Sequence, residues 1–247
     1  MAGGRVALAA WTCPPFQVRN TGMPAGQFKN ISGIETYHSY PPGSNTSTKA
    51  ILFISNLSGI SLLENRILAD SIAANGYLAV MPDLFEGEAI DEDAGQDLTD
   101  WHARHPEEKI DRIINITIRY LREEVGAQRI GGVGYCFGGK YVPRFLSGGR
   151  GIDVGFIAHP SFLTETEIEG ITNPISIAAG TLDEAFNMSS KVRAENILGS
   201  NNVTFQSNLY FAAPHGFAIS VNQSNPQQAY VKEASFVQAV TWFNTWL

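Results

Sequence analysis

Two cysteines, Cys13 and Cys136, are all that 247 residues contain, and a lone, widely separated pair is no disulfide framework. That scarcity fits a reducing compartment. Metal-ligand spacing is also missing: there is no His-Glu-X-X-His, no Cys-X-X-Cys and no His/carboxylate cluster, so no metal is expected. Basic charge is in the minority, with 17 Lys and Arg against 24 Asp and Glu and a formal charge of -7. A surface of that sign repels nucleic acids and anionic lipids over most of its area, which excludes both as expected partners. Long apolar runs are absent as well. The early run Val6 to Trp11 is too short to span a bilayer and shorter and less apolar than a usual secretory core, so a cytoplasmic protein with no membrane partner is expected. Against this, Asn-X-Ser/Thr sequons recur at Asn30, Asn45, Asn56, Asn115, Asn187, Asn202 and Asn222. Several lie in segments that read as core elements, so they are taken as unused. No internal repeat and no dividing linker is visible.

What remains is a chain that is 44% hydrophobic and 17% charged, the composition of a globular domain. Residues 1–30 read as a loosely structured arm and 31–247 as one domain. Short apolar runs bounded by turn residues predict strands at 50–55, 77–81, 130–135, 154–158, 175–179 and 204–211, with an edge strand at 33–40. Helical spacing places helices at 62–75, 107–124, 138–146, 189–198 and 226–246, with Gly76 and Gly126 at the C-cap positions of the first two and Pro226 in the first turn of the last. The alternation implies an α/β class: a mostly parallel central sheet with helices on both faces. The acidic stretch 86–100 reads as a long loop, a candidate lid or pocket wall.

The segment Gly134-Tyr135-Cys136-Phe137-Gly138-Gly139 joins a strand to a helix through a tight turn of the form Gly-X-nucleophile-X-Gly. The glycines are needed where a Cβ would clash with the crowded turn, and the helix N-terminus favours a thiolate. Cys136 is therefore the expected nucleophile. The backbone N–H of Phe137 and that of Leu57, after the first core strand, are the expected oxyanion donors. An acid and a histidine follow in order on later loops: Asp183 after the turn Gly180-Thr181-Leu182, and His215 in Pro214-His215-Gly216-Phe217. A thiol needs a base, and the base needs an acid to fix its tautomer, so Cys136, His215 and Asp183 form the expected triad. His38, His102 and His105 are expected to be solvent exposed. His159, in His159-Pro160-Ser161-Phe162 at a strand's C-terminal end, is expected to line the pocket. Gly131-Gly132-X-Gly134 suits the elbow better than a dinucleotide loop, so no cofactor is expected.

These motifs, with Gly76-Tyr77 through Met81-Pro82-Asp83-Leu84-Phe85, resemble the dienelactone hydrolase family and in particular its fungal branch, over about residues 30–247. The resemblance implies an α/β-hydrolase fold, a Cys-Asp-His triad and cofactor-free hydrolysis of a lactone or related ester. Two departures stand out. Where bacterial members carry a glutamate that contacts the cysteine, this chain has Asn56, and an amide cannot act as a base. Where they bind a substrate carboxylate through arginines, this chain has Glu86-Gly87-Glu88 and Ala218-Ile219-Ser220, so the small dienelactone acid is disfavoured. Phe85, Trp101, Phe162, Phe186 and Phe217, with Asn56 and His159, are the expected substrate-binding residues, and an aromatic or polyketide-like ester or lactone of secondary metabolism is the expected substrate. Two rivals stay open: a non-hydrolytic isomerase, cyclase or dehydratase on the same fold, and a non-catalytic binding protein. The expected partner is a small molecule, with a homodimer left open.

Overall fold

The structure is a computed structural model and describes residues 16–44, 47–90 and 98–247. Eight strands form one sheet: β1 Gln27–Ile31, β2 Ile34–Ser39, β3 Lys49–Ile54, β4 Leu78–Pro82, β5 Arg129–Tyr135, β6 Val154–Ala158, β7 Ile175–Leu182 and β8 Phe205–Pro214. Their spatial order is β1-β2-β4-β3-β5-β6-β7-β8. β1 and β2 run antiparallel, and everything from β4 to β8 is parallel. The strand expected at the edge is β2, and β1, drawn from the predicted arm, covers it. Residues just before β1 are tied down too: Arg19 pairs with Asp70 at 3.2 Å, and Asn75 donates to Gln17 O at 2.9 Å. Residues 1–15, with Cys13, lie outside the described residues.

Among the described residues seven α-helices pack on the sheet: α1 Leu63–Ala74, α2 Leu98–Arg104, α3 Glu107–Glu123, α4 Gly138–Phe145, α5 Glu165–Glu169, α6 Met188–Ser200 and α7 Pro226–Trp246. Strand residues alternate between two cores because successive side chains point to opposite faces. Leu52 and Ile54 of β3 join Ile110, Ile114 and Leu121 of α3, Val142 and Phe145 of α4, and Leu198 of α6. Ile51 and Phe53 join Leu68 and Ile72 of α1 and Phe236, Val240 and Phe243 of α7 on the other face. Gly76 and Gly126 follow α1 and α3 with φ of 100° and 76°, the left-handed conformation that ends a helix most cheaply when no Cβ is present. Asn225 caps α7 through the N–H groups of Gln227 and Gln228, with Pro226 at the first helical position.

Two short helices were not expected. α2 lies at the end of the acidic stretch, of which 91–97 are outside the described residues. α5 is held by a capping box between Thr164 and Glu167, which satisfies two helix-start donors and stabilises a helix of only five residues.

Candidate active site

The parallel register delivers the site. Tyr135 pairs with Ala158, so the residues that leave β5 and β6, Cys136 and His159, emerge side by side. Leu182 pairs with Pro214, so Asp183 and His215 do the same at the ends of β7 and β8. All four lie at the C-terminal edge of the sheet, where an α/β fold places its ligands.

Cys136 occupies the elbow with φ of 52°. A Cβ on Gly138 would lie 2.0 Å from Ile54 O, and one on Gly134 2.4 Å from Gly138 O, so the glycine spacing read from the sequence has a steric cause. The elbow is laced to the turn after β6: Cys136 N–H donates to Ala158 O at 3.3 Å, and Ser161 N–H donates to Cys136 O at 2.9 Å. Gly139 lets the same turn come close, since its Cβ would fall 2.6 Å from that of Pro160.

The hydrogen-bonded chain runs through Ser161. Asp183 Oδ1 accepts from Ala185 N–H at 3.0 Å and Phe186 N–H at 3.2 Å, and lies 2.9 Å from His215 Nδ1. His215 Nε2 lies 3.2 Å from Ser161 Oγ, which is 3.4 Å from Cys136 Sγ. Two of the three expected triad members, Asp183 and His215, therefore stand together, but the direct bond expected between His215 and Cys136 is replaced by one to Ser161. The expectation of a cysteine nucleophile is corrected accordingly: the hydrogen-bonded triad is Ser161, His215 and Asp183, with the buried thiol of Cys136 beside the serine hydroxyl. Ser161 was passed over in favour of its neighbour His159. No local signal in the sequence marks it, because its place beside the elbow comes from the pairing of β5 with β6.

Electrostatics bind His215 and Asp183 together and favour the charged imidazolium. Burial alone would raise Asp183, but the hydrogen bond and charge of His215 outweigh it and hold the carboxyl below its usual range. Burial would lower His215, but the hydrogen bond to Asp183 and the adjacent Cys136 push it up to about 10. The N–H groups of Leu57 and Phe137 donate to no protein acceptor among the described residues. The loop bearing Leu57 is fixed by Asn65, whose Nδ2 donates to Asn56 Oδ1 and to Gly59 O, both at 2.8 Å. Asn56, which follows β3, thus has its oxygen committed to Asn65.

Of the other expected substrate contacts, Phe85, Trp101, Phe186 and Phe217 are buried, whereas Phe162 is 51% exposed. Phe85 and Trp101 pack with His105 and Phe137 in one aromatic cluster. Phe162 meets the ring of His102 at 5.4 Å, on the wall of a cleft of about 360 Å³ that also touches Phe137, Lys140 and Tyr141. On the other side of the same segment, Leu163 and Phe186 line a cleft of about 430 Å³. His159 is wholly buried beneath the relay. His38 and His105, expected at the surface, are buried as well: His38 is hydrogen-bonded to Thr36 Oγ1 in β2, and His105 is stacked on Trp101. No helix among the described residues is long and apolar enough to cross a membrane.

Comparison with known proteins points one way. The profile of the dienelactone hydrolase family matches residues 34–247. Hydrolase pyvD of Aspergillus violaceofuscus is 42% identical over 228 residues, 92% of each chain. Hydrolase tropI of Talaromyces stipitatus is 36% identical over 98% of each chain. Among solved structures, a dienelactone hydrolase-like promiscuous phosphotriesterase from metagenomic libraries superposes with a TM-score of 0.71 at 13% identity, covering 90% of this chain and 97% of its own.

Proposed function

Because this chain belongs to the dienelactone hydrolase family, we propose that it hydrolyses a carboxylic ester or lactone through Ser161, His215 and Asp183. The observation that carries this reading is the continuous hydrogen-bonded line from Asp183 Oδ1 through both nitrogens of His215 to Ser161 Oγ. Attack by the Ser161 oxygen on the carbonyl carbon forms the new C–O bond while His215 Nε2 takes the hydroxyl proton. Asp183 fixes the ring and balances the imidazolium. Negative charge gathering on the carbonyl oxygen falls to the N–H groups of Phe137 and Leu57, which donate to no protein acceptor among the described residues. The imidazolium returns its proton to the departing alkoxide, and water, deprotonated in turn by His215, releases the acid.

The phenylalanine on the exposed side of the Ser161 turn, Phe162, is the residue of the expected set best placed to meet a substrate. Among the described residues no arginine lines the cleft that it borders, and the lysine there, Lys140, is already paired with Glu107 and Glu167. A neutral acyl or alkoxy group suits that wall better than a second carboxylate.

The test is to trap the acyl-enzyme with an activated aryl ester, quench in acid and map the adduct by peptide mass spectrometry. An acyl group on Ser161, and a fall in turnover of about 10⁴-fold or more in Ser161→Ala, is the expected result. An adduct on Cys136, together with near-normal turnover in Ser161→Ala, would sink the assignment.

A further inference from the structure

We propose that His159 is a positioning residue for the relay, its buried imidazole holding the ring of His215 in line with Asp183 and Ser161. The inference rests on the reading above only in taking His215 as the proton carrier.

His159 leaves β6 directly and has no exposed surface. Its ring stands 5.1 Å from that of His215 at 74°, an edge-to-face contact, with Phe217 at 5.3 Å and Tyr135 at 6.1 Å closing other sides. The backbone is left-handed, φ 38°, a strained state for a residue with a Cβ, and is pinned by the bond from its N–H to Ala178 O at 3.0 Å. Neither ring nitrogen has a hydrogen-bond partner among the described residues. Asp183 Oδ2 is likewise buried without one, although Oδ1 of the same carboxylate has three.

Unpaired buried polar atoms cost stability, and a phenylalanine would fill the same volume without that cost. An imidazole that carries both this penalty and backbone strain, and that touches the catalytic ring, marks a functional position. The edge-to-face contact resists the ring rotation that would take His215 Nδ1 off Asp183 and Nε2 off Ser161. The N–H of an uncharged imidazole adds a dipole beside a carboxylate whose second oxygen has no donor of its own. Charge on His159 would defeat this, because a cation there would compete for Asp183 and repel the imidazolium formed in each turnover. Burial pushes its pKa down to about 3; the charge of His215 acts the same way, and Asp183 opposes it. The titratable groups around it are His215 from the loop after β8, Asp183 from the loop after β7 and Tyr135 from β5, with Cys136 beside it at the elbow.

The experiment compares His159→Phe, which keeps the ring and removes its nitrogens, with His159→Asn, which keeps a donor. Circular dichroism and melting establish folding. Each protein is titrated by NMR at the Cε1–H of His215 and assayed with an activated ester. The expected result for His159→Phe is a His215 pKa lower by about half a unit or more, a kcat about tenfold lower and an unchanged KM, with partial recovery of both pKa and kcat in His159→Asn. A His159→Phe protein with the native titration and native kcat would overturn the proposal, as would equal impairment of both variants with His215 titrating normally, which is the signature of packing alone. Should His159→Phe not fold, a lowered His215 pKa with a fall in kcat in His159→Asn upholds it, and a native His215 titration in His159→Asn, whatever its kcat, overturns it. A shifted His215 titration in an enzyme that cleaves no ester would leave the positioning role standing and remove the hydrolytic reading instead.

Discussion

A hydroxyl placed between a thiol and an imidazole has one proton to give, and which neighbour receives it decides whether the oxygen can attack. When His215 is protonated, the imidazolium donates to Ser161 Oγ and that hydroxyl turns toward sulfur, so the serine rests. When His215 is neutral, Ser161 donates to it and is ready to attack, while the thiol donates to the serine oxygen from the other side. The 3.2 Å and 3.4 Å contacts permit either arrangement, and the raised pKa of His215 favours the first. Since a general base works only when unprotonated, kcat/KM should climb with pH until His215 deprotonates near 10. Removing sulfur takes away one support of the high pKa. Cys136→Ala is therefore expected to keep turning over and to shift the rising limb of its pH–rate profile to lower pH; loss of turnover at every pH would count against the serine relay.

At the scale of elements, strands and loops take their places from what lies next to them across the sheet. The elbow helix α4 approaches β3 so closely that Gly138→Ala would drive a methyl into Ile54 O, 2.0 Å away. A loss of about 1–3 kcal/mol in denaturant unfolding is expected, with a larger proportional loss of activity because the same shift moves Phe137 N–H. This helix was legible from its glycines, as were β3 to β8 from their apolar runs and Asp183 and His215 from their order along the chain. Ser161 was not, because its partnership with His215 depends on which strands are neighbours: the Tyr135–Ala158 pairing brings the β6 turn against the elbow, and no local pattern encodes that. β1 escaped notice for another reason. Its residues are mostly exposed, so the sequence Gln-Phe-Lys-Asn-Ile carries little alternation, and pairing with β2 rather than burial defines it. The capping box of α5 was readable as Thr164-X-X-Glu167 and should have given that helix away.

For the molecule as a whole, buried histidines set the response to acid. His38, held down to about 4 by burial and by the charge of Lys29, and His159, held down to about 3, both stay neutral in the fold. The unfolded chain binds their protons near pH 6.5 and the native chain does not, so stability falls as pH drops from about 6.5 toward 4. His215 has the opposite sign: raised to about 10, its contribution is complete below 6.5 and fades as pH climbs through 10. Thermal melts are expected to show a midpoint that declines below pH 6.5, and His38→Gln should flatten that decline; an unchanged acid slope would assign it elsewhere. The two bonds that lace the elbow to the β6 turn, Cys136 N–H to Ala158 O and Ser161 N–H to Cys136 O, carry this coupling of chemistry to fold one step further. They tie the serine's turn to the elbow, so the nucleophile and that part of the sheet are expected to lose their structure together on heating: loss of activity and loss of the sheet's circular dichroism should share one midpoint.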